Sequence, residues 1–418
     1  MKHFLSSLFP QSFKNYYHLI CAVFAALFFG FPAKNIRVIG VTGTNGKTTT
    51  SQFIAKVLEE AGYVVALAST INFQIGSKHW VNESKFTTSS AWKLQKFLRE
   101  AVQAGCDVVV LETSSHALDQ YRTFGIPYEI AVITNVTREH LDYHKTMEAY
   151  RAAKQKLFKK AKVAVINADM QKPEEFAFPF HEAVLQYSTK NKEADIYARG
   201  VSLDFKKVEW FTAETHFVLH LPGIFNIENA LAALAVAQVL HIDFSVARKA
   251  LEKITGIPGR MELVENASGI DIVIDYAVTP DAFEKLYASV LPLKIPGTQI
   301  IHVFGACGER DRGKREEMGE IASRSSDIVI LTNEDPYHED PEQIIDEIEK
   351  GVSKKKEKDY FRIFDRRQAI HKALEMAEQG DIVLVTGKGA ETSMAFGDKR
   401  VPWNERAVIQ EELAILNK

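Results

Sequence analysis

One eleven-residue stretch, GVTGTNGKTTT (Gly40–Thr50), restricts this chain more than any other. The apolar run RVIGV (Arg37–Val41) leads into it and a helical pattern starting near Lys47 leads out, so it reads as buried strand, glycine-rich turn and helix. Glycines let the backbone curl until its N–H groups face a phosphate, and the helix N-terminus adds positive potential. Lys47 supplies a charge for the β- and γ-phosphates, and the Thr48 hydroxyl can ligate Mg²⁺. The general phosphate-loop pattern asks for glycine where Val41 stands, so the match is to the variant TGTNGKT. The candidate nucleotide-binding residues are Gly43, Thr44, Asn45, Gly46, Lys47, Thr48 and Thr49.

Short apolar runs recur after this loop, at Val64–Leu67, Val108–Leu111, Ile130–Ile133 and Val163–Ile166. Helical patterns such as Ala91–Ala104 and Met147–Lys160 lie between them. Alternating strands and helices predict a mainly parallel sheet with helices on both faces. From Asp195 to Leu221 the runs IYARGVSLD, VEWFT and HFVLHL predict a small antiparallel sheet, followed by helices near Asn226–Leu240 and Ser245–Ile254. GIPGR (Gly256–Arg260) reads as a linker, after which IDIVID, TQIIHVF, DIVILT, FRIF and DIVLVT restart the alternation. The fold class is therefore α/β: an apolar N-terminal segment (1–34), a phosphate-loop domain (35–256) with a mainly parallel sheet plus a small antiparallel one, and a Rossmann-like C-terminal α/β domain (257–418).

Composition narrows the function. The 418 residues carry 51 Lys plus Arg against 54 Asp plus Glu, a net charge of −3, which argues against a nucleic-acid binder. The three cysteines, Cys21, Cys106 and Cys307, are too scattered for a disulfide framework or a cysteine-rich zinc site, so a reducing cytoplasm is the simplest home. One stretch qualifies that reading: between Lys14 and Lys34 runs the uncharged NYYHLICAVFAALFFGFPA. A buried or interface helix, a membrane-surface anchor and a membrane span all stay open, with His18 and the two tyrosines favouring the first. A membrane-surface contact or a homo-oligomer through this segment is the corresponding partner expectation.

Two more loops follow strands. LETSSHALDQYR places Glu112 at a strand's C-terminal end, where a carboxylate can take Mg²⁺ opposite Thr48. TNVTREHLDYHKTMEAY follows the next strand, and the two loops together hold His116, His140 and His144. Lys154 sits in an apolar helix stripe with Met147, Tyr150, Leu157 and Phe158, so it either snorkels or is held at a site, with modification a further option.

In combination these blocks resemble the Mur ligase family, the ATP-dependent amide ligases of peptidoglycan synthesis, and most of all its tripeptide-synthetase branch. The likeness runs from about Ile36 to Asn404 and includes VTGTNGKTTT, ETSSHALDQYR, TNVTREHLDYHKTMEAYRAAKQKLF, GIFNIENALAALAVA, GIPGRMELV, DYAVTPDAFEKL, VFGACGERDRGKREEMG, TNEDPYHEDP and TGKGAE. It implies that a peptidoglycan-precursor carboxylate attacks ATP, that an acyl phosphate forms, and that an amino acid's amine displaces phosphate, with two magnesium ions as cofactors. By the same resemblance, Thr48 and Glu112 hold one ion, while His140 and a carbamylated Lys154 hold the other. Asn226 and Asn229 match residues that meet adenine, Arg260 the arginine reaching the γ-phosphate, and Asp275 the ribose-binding acid; helix capping is a second role for Asn226. Thr87, Thr88, Ser114, Gln120 and Arg122 match contacts to the carboxylate substrate. Arg315, Glu334, Asp335, Tyr337, Gly387 and Glu391 match the amino-acid side.

Four departures stand out. The family's UDP-gripping N-terminal domain has no counterpart before the loop, DYAHTP reads DYAVTP at Val278, DNPR reads Glu334-Asp335-Pro336-Tyr337, and GKGHE reads GKGAE at Ala390. Arginine of DNPR grips the distal carboxylate of meso-diaminopimelate; with Tyr337 there and Glu334 nearby, a basic or neutral amino acid is the expected substrate. Two alternatives are a MurT-type subunit that activates a lipid-linked carboxylate, against which the scattered cysteines argue, and a nucleotide-binding protein that has lost ligation, against which Lys47, Glu112, His140 and Lys154 argue. Folate and cyanophycin ligases share the phosphate loop but fit the SSHALDQYR and HLDYH blocks less well.

Overall fold

The computed structural model describes residues 11–84 and 86–418. A nine-stranded sheet organises the first half. Its strands are β1 (Arg37–Thr42), β2 (Val65–Ala68), β3 (Asn72–Ile75), β4 (Lys78–Val81), β5 (Val108–Glu112), β6 (Tyr128–Ile133), β7 (Ala161–Asn167), β8 (Ala183–Ser188) and β9 (Ile196–Tyr197). They lie in the order β4-β3-β2-β5-β1-β6-β7-β8-β9, parallel except for the edge hairpin β3–β4. β5 is buried along its whole length, as a central parallel strand must be when helices cover both faces.

The period of two along each strand sorts side chains between two cores. Ile39, Val41, Val108, Val110, Ile130 and Val132 face one side. Val38, Val109, Leu111, Ala131 and Ile133 face the other. The N-terminal helix α1 (Gln11–Phe29) is followed by α2 (Lys47–Glu60), α3 (Ala91–Gln103), α4 (Ser115–Asp119), α5 (Leu141–His144), α6 (Met147–Phe158), α7 (Ile224–Val239) and α8 (Phe244–Glu252). α2, α7 and α8 cover the first core, and α3 and α6 the second. Strands β10 (Arg199–Leu203), β11 (Val208–Thr212) and β12 (Thr215–Leu219) form the small antiparallel sheet. The run IYARGVSLD is divided, however: Ile196–Tyr197 pairs in parallel with β8 on the large sheet, and only the rest joins the small one. Burial of Ile196 in the first core accounts for the split.

α1 lies on α3, with Ala22 and Ala25 buried beside Ala91. Among the described residues no helix is long and apolar enough to cross a membrane. Residues 1–10 of the expected N-terminal segment lie outside the described residues.

The second sheet contains β13 (Glu262–Val264), β14 (Asp271–Asp275), β15 (Ile300–Phe304), β16 (Ile328–Leu331), β17 (Tyr360–Arg362) and β18 (Ile382–Thr386), in the order β13-β14-β18-β15-β16-β17. Only β13 is antiparallel. Helices α9 (Pro280–Val290), α10 (Arg315–Ser325) and α11 (Pro341–Glu349) cover one face; α12 (Arg366–Met376) and α13 (Glu405–Leu416) cover the other. A hairpin of β19 (Ser393–Phe396) and β20 (Lys399–Pro402) completes this half. The C-terminal ends of β1, β5 and β6 face a cleft to which β14 and the segments after β15, β16 and β18 also contribute.

Candidate active site

The glycine-rich turn is fixed from three directions. Gly46 takes a positive φ of 82°, and a side chain there would collide with Asn229, so the position admits glycine alone. Asn135, after β6, accepts from the Asn45 amide at 2.9 Å, and its carbonyl accepts from the Thr44 amide at 2.9 Å. Asn45 Nδ2 donates 2.8 Å across the cleft to Asp281 at the start of α9. Lys47 Nζ donates to the Thr44 carbonyl at 2.6 Å, folding its charge over the loop.

Glu112 ends β5 beneath this turn. Its buried carboxylate accepts from Thr48 Oγ1 at 3.1 Å, Thr70 Oγ1 at 2.8 Å and the Thr70 amide at 2.7 Å. A hydroxyl and a carboxylate are the hard oxygen donors that Mg²⁺ takes. Among the described residues no group of three or more His, Cys, Asp or Glu could hold a metal by itself.

His140 sits on the lip of the cleft with φ 56°, its ring 4.6 Å from that of His116, and His116 lies 5.4 Å from His144. Burial holds the whole cluster neutral: it pushes His116 down to about 3 and His144 to about 4, and lowers His140 too. Glu139, beside His140, is half-buried; burial raises its carboxyl, but the surrounding positive charge, Lys314 and Lys47 included, outweighs that and lowers it. Lys154 lies under the turn, fully buried, its Nζ donating to the Gly43 carbonyl at 2.6 Å and 4.4 Å from the centre of the Tyr150 ring. Burial, with Lys47 close by, drives its amine far below the usual lysine range.

From the second half, Arg260 crosses to the loop. Its Nη2 stands 3.5 Å from Thr48 Oγ1 and its guanidinium lies 4.6 Å over the Tyr276 ring. Asp275 ends β14 and accepts from the Met261 amide at 2.8 Å; burial raises its carboxyl and Arg260 opposes that. Gly259, at φ 65°, is pressed against the 389–390 backbone, leaving no room for a side chain. Glu334 is buried with Oε2 unpartnered, packed against Gly387. Lys388 Nζ is pinned to Asp335 at 2.9 Å and bonded to Glu391, and Glu391 also accepts from Tyr276 OH at 3.3 Å.

These groups line one cleft of about 270 Å³ that includes Lys47, Thr48, Glu112, His140, Asn229, Arg260, Asp275, Glu334, Asp335, Tyr337 and Glu391, with Thr44, Asn45, Gly46, Thr49 and Thr87. Other expected residues lie off its wall. Lys154 is beneath the turn. Asn226 is inside α7 rather than capping it, because Gly223 takes the cap and Asn226 Nδ2 donates to the Pro222 carbonyl at 2.7 Å. Gln120 and Arg122 line a separate groove of about 470 Å³ with His18, Cys21 and Phe86. Between groove and cleft, Thr88 Oγ1 donates to the Glu112 carbonyl at 3.0 Å and accepts from the Ser114 amide at 3.0 Å. Arg315 is fully buried against Glu339 at 2.6 Å and Glu347 at 2.7 Å, so its charge is consumed inside α10–α11. Arg310, five residues earlier, lines the cleft instead.

Sequence reasoning missed Arg310, Glu139 and Arg400. It also took Tyr337 to mean a site without a cation. The hairpin β19–β20 docks on this segment, with Tyr337 N donating to the Ala395 carbonyl at 3.2 Å and Gly397 N to the Tyr337 carbonyl at 2.7 Å. That brings Arg400 to 5.2 Å from the Tyr337 ring, while Arg310 stands at 5.7 Å. One guanidinium, Arg310, thus lines the cleft beside Tyr337, and a second, the exposed Arg400, meets the same ring without lining the cleft.

Known proteins match this arrangement. Residues 41–237 match the family described as Mur ligase middle domain, and residues 259–389 the one described as Mur ligase, glutamate ligase domain. The chain is 42% identical to UDP-N-acetylmuramyl-tripeptide synthetase of Roseiflexus sp. (strain RS-1), covering 94% of this chain and 82% of that protein. It is 38% identical to UDP-N-acetylmuramoyl-L-alanyl-D-glutamate--2,6-diaminopimelate ligase of Clostridium tetani (strain Massachusetts / E88), over 93% and 80% of the two. A solved structure of an enzyme of that name superposes with a TM-score of 0.62 at 34% identity, covering 92% of this chain and 79% of the other.

Proposed function

From the premise that this chain belongs to the Mur ligase family, and is an ATP-dependent amide ligase adding an amino acid to a peptidoglycan-precursor carboxylate, we propose how its own residues divide the work. The observation that carries the assignment is the single cleft in which the phosphate loop, Glu112, Arg260 and the amino-acid-side residues meet.

ATP lies with its triphosphate on Gly43–Thr49, its adenine near Asn229, which Asn226 positions by accepting from its Nδ2 at 3.2 Å, and its ribose on Asp275. Lys47 and Arg260 converge on the γ-phosphate from opposite sides and stabilise the charge that builds on it. The acceptor carboxylate enters past Thr87, Thr88, Ser114, Gln120 and Arg122. Its oxygen attacks the γ-phosphorus, the bond to ADP breaks, and an acyl phosphate forms. The amino acid's amine then attacks the acyl carbon, and the tetrahedral intermediate expels phosphate.

Two Mg²⁺ ions would neutralise the triphosphate and polarise its transferring phosphoryl group. Thr48 and Glu112 would hold one, and neutral His140 with carbamylated Lys154 the other. Carbamylation is chemically reasonable for this lysine: burial favours the neutral amine, which adds to carbon dioxide, forms an N–C bond and releases a proton. The product is an anionic oxygen ligand beneath the loop.

The amino-acid pocket is proposed to read two charges. The unpartnered oxygen of Glu334 accepts an ammonium group, and Arg310 with Arg400 accepts a distal carboxylate. This favours diaminopimelate, the amino acid named in several relatives, over lysine. The acceptor is a UDP-linked peptide in this reading, the reaction is cytoplasmic, and an external contact, with a membrane surface or a second copy, uses α1. Mass spectrometry of products from a panel of precursors and amino acids with ATP tests the ligation and its substrates; ATP hydrolysis with no amide product from any precursor would reject it.

A further inference from the structure

Helix α1 is arranged in the reverse sense of an ordinary surface helix. Its small residues Ala22, Ala25 and Ala26 are buried against the body. Its large ones point away: Tyr16, Tyr17, Phe24, Leu27 and Phe28 are between 59% and 71% exposed. A helix resting on a globular body normally turns its large apolar stripe inward. Trp92 of α3 extends the outward face, its ring 4.8 Å from Phe28 and 5.2 Å from Phe29, and is itself 47% exposed. A contiguous apolar surface of this kind marks an interaction site.

The charges around the face select the partner. Residues 11–36 contain no aspartate or glutamate. Lys14 lies in the first turns of the helix, Lys34 in the short 3₁₀ turn (Pro32–Asn35) that follows it, and Lys93 next to Trp92 on the adjoining helix. Apolar bulk framed by Tyr, Trp and Lys is the make-up of a surface that lies in the headgroup layer of a bilayer. A second copy would bring these lysines into mutual repulsion, whereas anionic headgroups neutralise them. The inward side is committed to the protein, with Asn15 Nδ2 donating to Asp119 at 2.8 Å and Gln11 Nε2 to Tyr143 OH at 3.0 Å. The helix can therefore lie along a surface while attached to the body.

We propose that the outward face of α1, together with Trp92, docks this protein on a membrane surface bearing anionic headgroups. The assignment rests on the packing of α1 and is independent of which residues bind ATP.

The test is co-sedimentation of the full chain with vesicles of phosphatidylcholine alone and of phosphatidylcholine mixed with phosphatidylglycerol. Binding should be at least about tenfold tighter to the mixed vesicles and should weaken as salt is raised. The pair Phe24→Ser and Phe28→Ser should abolish binding while leaving circular dichroism and ATP-dependent phosphate release unchanged. The pair Lys14→Glu and Lys34→Glu should erase the preference for anionic vesicles. A full chain that stays in solution with both vesicle types overturns the proposal, and a dimer dispersed by the two serine substitutions would assign the face to a second copy instead.

Discussion

Arg260 and Thr48, 212 positions apart in the chain, meet with 3.5 Å between guanidinium nitrogen and hydroxyl oxygen. The contact joins the start of the second half to the phosphate loop of the first, and it places a permanent cation beside that loop, where the triphosphate is proposed to lie. Arg260→Ala should lower kcat by about 10²–10³, the usual scale for one preorganised charge at a transferring group. Arg260→Lys should recover only part of this, because a point charge on a flexible stem does not reproduce the guanidinium fork. Steady-state phosphate release measures both; a kcat within twofold of the parent for Arg260→Ala would show that the arginine is only a strut between domains.

Lys154 gives a chemical prediction. Carbamate forms from the neutral amine, and burial lowers the pH at which this amine gives up its proton. Incubation with ¹³C-bicarbonate should therefore yield a carbamate carbonyl resonance that is absent from Lys154→Ala. The variant should lose activity and regain part of it with added acetate or formate. An activity indifferent to both the substitution and bicarbonate removal would refute the modification.

The amino-acid pocket can be tested by competition. With Arg310 and Arg400 beside Tyr337, kcat/KM for meso-diaminopimelate should exceed that for L-lysine. Arg400→Ala should reduce the diaminopimelate value by about 10- to 100-fold, equivalent to losing about 1.5–3 kcal/mol of charge-assisted hydrogen bonding, with lysine little affected. Equal losses for both substrates would show that Arg400 does not read the distal group.

His302 on β15 makes stability depend on pH. It is fully buried, bonded to Tyr287 OH at 2.7 Å and Thr386 Oγ1 at 2.9 Å, and burial, reinforced by Arg366, pushes it down to about 3. The unfolded chain protonates this histidine near pH 6.5 and the folded protein does not. Stability from this group is complete above pH 6.5 and falls as pH drops toward 3, by about 2 kcal/mol between pH 7 and pH 5. Urea titrations at those two pH values should show that slope reduced by about this amount in His302→Gln. An unchanged slope would mean that the histidine titrates normally in the fold.

The phosphate loop, Glu112 and the alternating strands were legible because each rests on a local pattern: a glycine turn between periodic segments, or a carboxylate at a strand end. Residues whose roles depend on distant contacts were not. Arg315 and Arg310 lie five residues apart in one basic run, and only the pairing of Arg315 with Glu339 and Glu347 from the α11 region shows which one the core consumes. Arg400 reaches Tyr337 through a hairpin docked on another loop, a placement that no spacing along the chain reveals. Asn226 looked like a cap because asparagine often caps, but Gly223 starts that helix. The outward direction of Phe24 and Phe28 was equally hidden, since an apolar run does not say which of its faces the body takes.

The close fit of Gly259 against the 389–390 backbone has a mechanical meaning. Arg260 is bonded to one side of that junction and Glu391 to the other, with Tyr276 touching both. Gly259, Arg260, Tyr276 and Glu391 therefore form one contiguous joint, with Arg260 stacked on one part of Tyr276 and Glu391 bonded to its hydroxyl. A side chain introduced at Gly259 would accordingly disturb Arg260 and Glu391 together, so one substitution outside the phosphate loop should unsettle both walls of the cleft.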